Sequence, residues 1–273
     1  MRDFSEKKKR PAERKARKKG KRSLPIAALA RKAGRVLALV SGVAVSLAAL
    51  YVGWQQLTAS PYLRISHVRV EGNRQVKEEE LVGLTEARGA NIITFDVEDA
   101  GRRVESLPWV REVSLARELP GSVKIRVSER EPLAMINLGE LYYIDDEGVI
   151  FAAADGNTGV NYPVLSGLDR GKLLRGERES FELLERGLEL LRILKTRKGS
   201  LAWDDVSELF LDLEEGMTLY TSERGIPVHL GKGGFEEKLY RAERVIYDLN
   251  RKGIKSRRLE ADYDDRVLVK VAI

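Results

Sequence analysis

The sequence predicts an α+β protein: a disordered basic N-terminal tail, one membrane-crossing helix, a compact β-α-α-β-β unit and a second α+β domain. Three observations carry this reading. Nineteen consecutive uncharged residues, "VLALVSGVAVSLAALYVGW", run from Val36 to Trp54. The stretch "SLPWVREVSLARELPGSVKIRVSEREP", Ser106 to Pro132, alternates like a half-buried hairpin. Beyond it, short alternating segments are interleaved with two long stretches of helical period.

The formal charge of +6 over 273 residues hides an asymmetry, because residues 1–35 carry 15 Lys and Arg against three acids, a net of +12, and leave −6 for the rest. Such a charge density opposes folding of the tail. Lys and Arg neutralise nucleic-acid phosphates without any fold. The tail, however, has no aromatic residue beyond Phe4 for base stacking. Orientation of a membrane segment already requires a positive flank, and the same charges attract anionic lipid, so the bilayer is the expected partner and nucleic acid is not.

The uncharged run spans about 28 Å as a helix, the thickness of a hydrocarbon core, and residues 36–56 are assigned to the membrane. Tyr51 and Trp54 mark its far end, where amphipathic rings favour the interface. The positive flank places the N-terminus in the cytoplasm and the body outside. A cleaved secretory signal is the alternative, with Ser46-Leu47-Ala48 as its small-residue cleavage site, but the basic region and apolar run are both too long for one. Gly34, Ala38, Gly42 and Ser46 form a small-residue stripe of the kind that packs helices, or simply the common composition of membrane helices. The chain has no cysteine, which excludes disulfides, thiol nucleophiles and thiolate-bound metals.

Residues 63–130 read in order as follows. "RISHVRVEGNR" is a strand ending at the turn pair Gly72-Asn73. "QVKEEELVGL" is a short amphipathic helix with Val76, Leu81 and Leu84 apolar. Asp96 is an N-cap for "VEDAGRRVESL", whose Val97, Ala100, Val104 and Leu107 share a face, and Pro108 stops that helix. In the hairpin, Val113 and Leu115 answer Val123, Ile125 and Val127 across Leu119-Pro120-Gly121-Ser122, and Trp109 and Val110 are expected to anchor it in a small core.

These residues resemble the POTRA domain of the bacterial cell-division family FtsQ, called DivIB in other lineages. The likeness rests on the strand end Val-Glu-Gly-Asn-Arg, the "LPWV" step and the "V.E.EP.A" exit, together with the order of tail, single membrane helix, one such unit and a second domain. Barrel-assembly and secretion proteins carry similar units, usually in series ahead of a barrel.

Residues 131–273 form the second domain. "LAMINL" and "LYYID" are strands, Asp145-Asp146-Glu147-Gly148 is a turn, and "YPVLSGL" resembles the "LPVLSG" segment of the same family. "ESFELLERGLELLRILKTRKG" is a helix with Phe181, Leu184, Leu188, Leu191 and Ile193 or Leu194 inward, ending at Gly199. "SELFLDLE", "MTLYTS" and "IPVHLG" are strands. A helix with Phe235, Leu239, Ala242, Ile246 and Leu249 on one face precedes the closing hairpin, "SRRLEADY" and "RVLVKVAI".

Catalytic chemistry finds little support. The pairs Asp145-Asp146 and Asp204-Asp205 and the group Asp262, Asp264 and Asp265 flank turns, where aspartate is favoured by local hydrogen bonds. A glycan hydrolase needs two carboxylates held across a cleft, and none is signalled. His67 and His229 lack ligand spacing. Lys232 in "GKGG" lacks phosphate-loop spacing and reads as a turn. No enzyme activity, metal, cofactor or small-molecule substrate is expected.

The C-terminal strand is equally well a sheet edge or a central strand by sequence alone, and an exposed edge invites a partner strand. The resemblance favours the edge. In the FtsQ family this region binds the partner FtsB by strand addition, in a complex with FtsL. The family pattern Asp-Leu-Arg-Tyr-Pro places its tyrosine on Tyr263. Asp262 stands where the family has arginine, which leaves Arg258 or Arg266 as a substitute. The resemblance therefore implies a non-enzymatic septal scaffold of the inner membrane, binding FtsB- and FtsL-like proteins through Tyr263, Arg266, Val267, Leu268, Val269 and Lys270. A membrane-tethered secretion or chaperone module that binds extended polypeptides is the alternative, and an envelope hydrolase a third.

Overall fold

The computed structural model describes residues 26–154 and 160–271. Of the basic tail, residues 1–35, expected to be disordered, residues 1–25 lie outside the described residues, and residues 26–35 are instead helical, which corrects the expectation there. Two compact units are present, one ending at Ser60 and the other running from Pro61 to the C-terminus.

In the first unit α1 (Ile26–Ala59) is a single helix of 34 residues. It starts inside the basic segment rather than after it, because Ala, Lys and Arg of "IAALARKAGR" are all strong helix formers. An 18-residue window within its stretch Ala30–Ala59 has a mean hydropathy of 2.2, and none of that window is buried within the protein. Val36, Leu37, Leu39 and Leu47 are all more than half exposed. Apolar surface of that extent is stable only where water is absent, so length and composition suit a bilayer crossing.

The second unit begins with β1 (His67–Glu71), α2 (Glu78–Thr85), α3 (Val97–Glu105), β2 (Val110–Glu118) and β3 (Ser122–Glu129), whose strands form one sheet in the order β1-β3-β2. β1 runs parallel to β3, and β2 antiparallel to it, with Val113 opposite Val127 and Leu115 opposite Ile125. The hairpin register is thus the one the alternation predicts. Asp96 caps α3, accepting from the amides of Glu98 and Asp99 at 3.0 Å each. Leu81, Ile92, Ala100, Val104, Val123 and Ile125 are fully enclosed between helices and sheet.

Two residues of the recurring pattern have clear physical work. Gly72 has φ +92, and a Cβ there would stand 2.1 Å from the carbonyl oxygen of Val127. The Glu129 carboxylate accepts from the amides of Arg74, Gln75 and Val76 at 2.9, 2.8 and 3.0 Å. The strand end and the sheet exit therefore lock each other.

The rest of the unit is one mixed sheet. Its strands are β4 (Pro132–Asn137), β5 (Leu141–Asp145), β6 (Ile150–Ala153), β7 (Val164–Ser166), β8 (Val206–Asp212), β9 (Gly216–Thr221), β10 (Pro227–Gly231), β11 (Ser256–Glu260) and β12 (Leu268–Val271). Their order is β12-β11-β10-β9-β8-β7-β4-β5-β6. A short helix α4 (Arg170–Leu174) and the long α5 (Arg178–Thr196) connect parallel β7 and β8, and α6 (Phe235–Arg251) connects parallel β10 and β11. Parallel neighbours need such crossovers. The core lies between these helices and the sheet: Leu188, Leu191 and Leu194 of α5 and Leu239 and Ala242 of α6 meet Leu209, Leu219, Leu230 and Leu259.

Two local expectations are corrected. Phe181 is 49 % exposed instead of inward, and Leu183 and Leu190 are buried instead; the face of α5 against the sheet is wider than one stripe, while Phe181 packs toward α4 and β6. The helix ends at Thr196 with Arg197 extended, not at a left-handed Gly199. Gly199 serves a different need, since a Cβ there would lie 1.9 Å from the Glu243 carboxylate, which accepts from the Ser200 amide at 2.7 Å and binds Arg197 at 2.7 Å. Trp109 and Val110 anchor the hairpin in the small core as expected, and Trp109 also reaches beyond it. It packs on the three-stranded unit and also lies 5.4 Å from Tyr143 and 5.1 Å from Phe151, ring to ring.

Candidate partner-binding edge

β12 is the border strand of the nine-stranded sheet, paired antiparallel with β11 on one side and, among the described residues, with no strand on the other. Val269 faces Leu259 and is half-buried, and Val267 packs on the core just before the strand. Leu268 and Lys270 point to the opposite face and are exposed, against Glu260 and Arg258 respectively. The strand is thus fastened by alternate side chains while its outer backbone groups stay available, the arrangement that admits an added strand.

The connector from Ala261 to Val267 is held from beneath by α6. The Ala261 amide donates to the His229 carbonyl at 2.8 Å. Lys238 Nζ bridges the Leu230 carbonyl at 2.9 Å and the Asp262 carboxylate at 2.6 Å. A Cβ at Gly231, φ +69, would stand 2.2 Å from the Asp262 carboxyl carbon, so this position has no room for a side chain. The Arg241 guanidinium reaches the carbonyl oxygens of Tyr263, at 2.8 Å, and of Asp264. Above them the Tyr263 ring is 46 % exposed.

Of the two arginines considered as substitutes, Arg266 is paired with Asp265 at 2.8 Å and Arg258 with Glu260. Both are exposed pairs in which solvent screening leaves little net attraction, so either guanidinium is free to exchange partners. Asp262 is engaged by Lys238. Six residues named from sequence are therefore brought together along one border. Lys238 and Arg241, which set the connector's path, were missed, and nothing in the sequence signals them: their partners in the connector lie more than twenty residues away, and most of their acceptors are backbone oxygens.

Of the aspartates considered for catalysis, Asp145, Asp205, Asp262 and Asp265 have side-chain partners. Asp205 accepts from the Ala202 amide at 3.0 Å. Asp145 is more than a turn residue: its side chain, 4 % exposed, binds Arg130 at 2.7 Å and accepts from the amides of Glu147 and Val149. His67 and His229 pair with Ser66 and Thr218 through Nδ1 at 2.9 and 3.1 Å. Among the described residues, no group of three or more His, Cys, Asp or Glu is placed to hold a metal.

The model of the POTRA domain, FtsQ-type, matches residues 63–130, and that of the FtsQ/DivIB C-terminal domain matches residues 134–264. Cell division protein FtsQ of Syntrophotalea carbinolica is 36 % identical over 241 residues, covering 86 % of this chain and 83 % of that protein. Cell division protein FtsQ of Geobacter sp. strain M21 is 32 % identical over 278 residues, covering 99 % of each. The chain belongs to the FtsQ/DivIB family of cell-division proteins. Cell division protein DivIB of Clostridium acetobutylicum is 31 % identical over 117 residues, covering 41 % of this chain and 47 % of that protein. Family membership gives the chain a role in division and fits one N-terminal membrane-crossing helix. Within the FtsQ/DivIB frame, the β-α-α-β-β unit is the POTRA domain and the nine-stranded sheet the body of the C-terminal domain.

Proposed function

We propose that the protein is a non-enzymatic scaffold of the septum that recruits and regulates other division proteins, and that it captures FtsB- and FtsL-like partners through β12. In this reading residues 1–35 are cytoplasmic, 36–56 cross the inner membrane, and the domains 63–130 and 131–273 act on the outer side. The single observation in support is the edge position of β12, with an exposed Tyr263 held beside it. Strand addition supplies main-chain hydrogen bonds for affinity, and the exposed Leu268, Lys270, Tyr263 and Arg266 supply the side-chain selection. Val267 holds the start of the edge by packing on the core.

Removal of residues 267–273 is the test. In a purified two-protein assay the truncated chain is expected to lose the FtsB-like partner while the POTRA domain stays folded; undiminished binding overturns the reading. The tagged protein is expected as a mid-cell band, and crosslinking in cells to yield septal proteins. A uniform rim with crosslinks to nascent envelope proteins would instead favour a chaperone.

A further inference from the structure

The opposite border of the nine-stranded sheet is β6, which pairs with β5 and, among the described residues, has no strand on its outer side. It reads Ile-Phe-Ala-Ala, without the charge or proline that usually blunts an edge. Beside it lies a groove of about 360 Å³ between α4, α5 and the sheet, lined by Tyr142, Ile150, Leu174, Phe181 and other apolar residues, with Arg170 its one charged wall. Ile150, Phe181 and Leu174 are 38, 49 and 77 % exposed. Because Ile150 belongs both to the groove and to the strand, a chain laid along β6 would send alternate side chains into the groove.

The charges select the occupant. Arg175 and Arg178 of the neighbouring helical segment are paired with Glu177 and Glu182, at 2.7 and 2.6 Å. Glu140 accepts from the Tyr142 hydroxyl at 3.0 Å, and Glu147 pairs with Arg111. Arg170 is exposed, has no ion-pair partner among the described residues and lines an otherwise apolar groove. A guanidinium so placed matches a carboxylate flanked by apolar residues.

We propose that β6 and this groove form a second strand-addition site, whose occupant is an extended apolar segment of another protein carrying a carboxylate that meets Arg170. The site is independent of β12, at the far border of the same sheet. An extended segment is favoured over a helix because the unpaired strand edge offers main-chain partners that a helix has already satisfied internally.

The test uses the full chain in lipid nanodiscs and fluorescein-labelled peptides of about eight residues, alternating Val and Thr, with either Glu or Lys at the centre. Anisotropy titration is expected to show the Glu peptide binding about tenfold more tightly than the Lys peptide. Arg170→Glu should reverse that preference. Leu174→Asp, at a side chain too exposed to support the core, should weaken both peptides about tenfold with an unchanged melting temperature. Removal of residues 267–273 should alter neither. Equal affinity for the two peptides, indifference to Arg170→Glu, or loss of binding with the C-terminal residues would overturn the site. So would tighter binding of a helix-forming peptide of the same composition, or a dimer of the full chain that occludes the Glu peptide.

Discussion

Arg241 of α6 holds the backbone of Tyr263: its Nη2 donates to the Tyr263 carbonyl oxygen at 2.8 Å, and Nη1 to that of the next residue. The most exposed aromatic of the proposed partner edge is thus positioned by a residue that is not itself on the edge. Arg241→Ala should free the 261–267 connector, raising its hydrogen-exchange rate, and weaken an FtsB-like partner about tenfold through faster dissociation. Arg241→Lys keeps the charge but not the planar fork, and should restore only part of the affinity. Rapid exchange in the connector with full affinity would show that its order is irrelevant to binding.

Arg130 and Asp145 join the POTRA domain to the larger sheet across a link of two residues, since β3 ends at Glu129 and β4 starts at Pro132. Their side chains are 18 and 4 % exposed. Removing the guanidinium leaves a buried carboxylate with only its two amide donors, and Arg130→Ala is expected to cost about 3 kcal/mol in thermal or urea unfolding. The double change Arg130→Met with Asp145→Leu should cost clearly less than the sum of the two single changes. Strict additivity would mean the pair does not couple.

Gly72→Ala and Gly89→Ala separate backbone strain from steric overlap. Both have positive φ, +92 and +82, but only at Gly72 does a Cβ meet anything, the Val127 carbonyl at 2.1 Å. Gly89→Ala should cost about 1 kcal/mol from the left-handed backbone alone. Gly72→Ala should exceed it by at least about 2 kcal/mol and disturb the β1–β3 pairing, which amide exchange of β1 would report.

Acid should loosen α3 first at its N-terminus. Amide hydrogen bonds from Asp99 and Glu98 hold the Asp96 carboxyl below the ordinary aspartate range. A group whose folded pKa is depressed contributes stability that is fully present above its unfolded pKa and is lost as pH falls through the folded pKa. The melting temperature of Asp96→Ala is therefore expected to lie below that of the native chain at neutral pH and to converge with it in acid. A gap that persists at the lowest pH would assign the effect to something other than the charged cap.

The patterns that survived best in the sequence are those whose cause is local. Period-two alternation fixed the 110–129 hairpin and its facing residues, because a one-residue slip would turn Val123, Ile125 and Val127 to water. Asp96 was legible because a cap needs only amides two and three residues on. Phe181 and Gly199 misled for the complementary reason. One stripe on α5 is too narrow a description for a helix pressed on a broad sheet, and Gly199 answers to Glu243, 44 residues away in the chain, rather than to its own helix end.

By itself the sequence determined the long apolar helix, the charge asymmetry, the family-specific POTRA pattern and the succession of strands and helices, all of which follow from composition or from spacing within one element. Only the tertiary structure decided which strands are borders. β6 and β12 are short segments like several others in the sheet, and what makes each a border is the order of the whole sheet, which includes two helical crossovers. It also decided the partners of Arg130, Lys238 and Arg241, because a buried charge is satisfied by whatever oxygen the packed chain brings within about 3 Å, and sequence separation has no part in that distance.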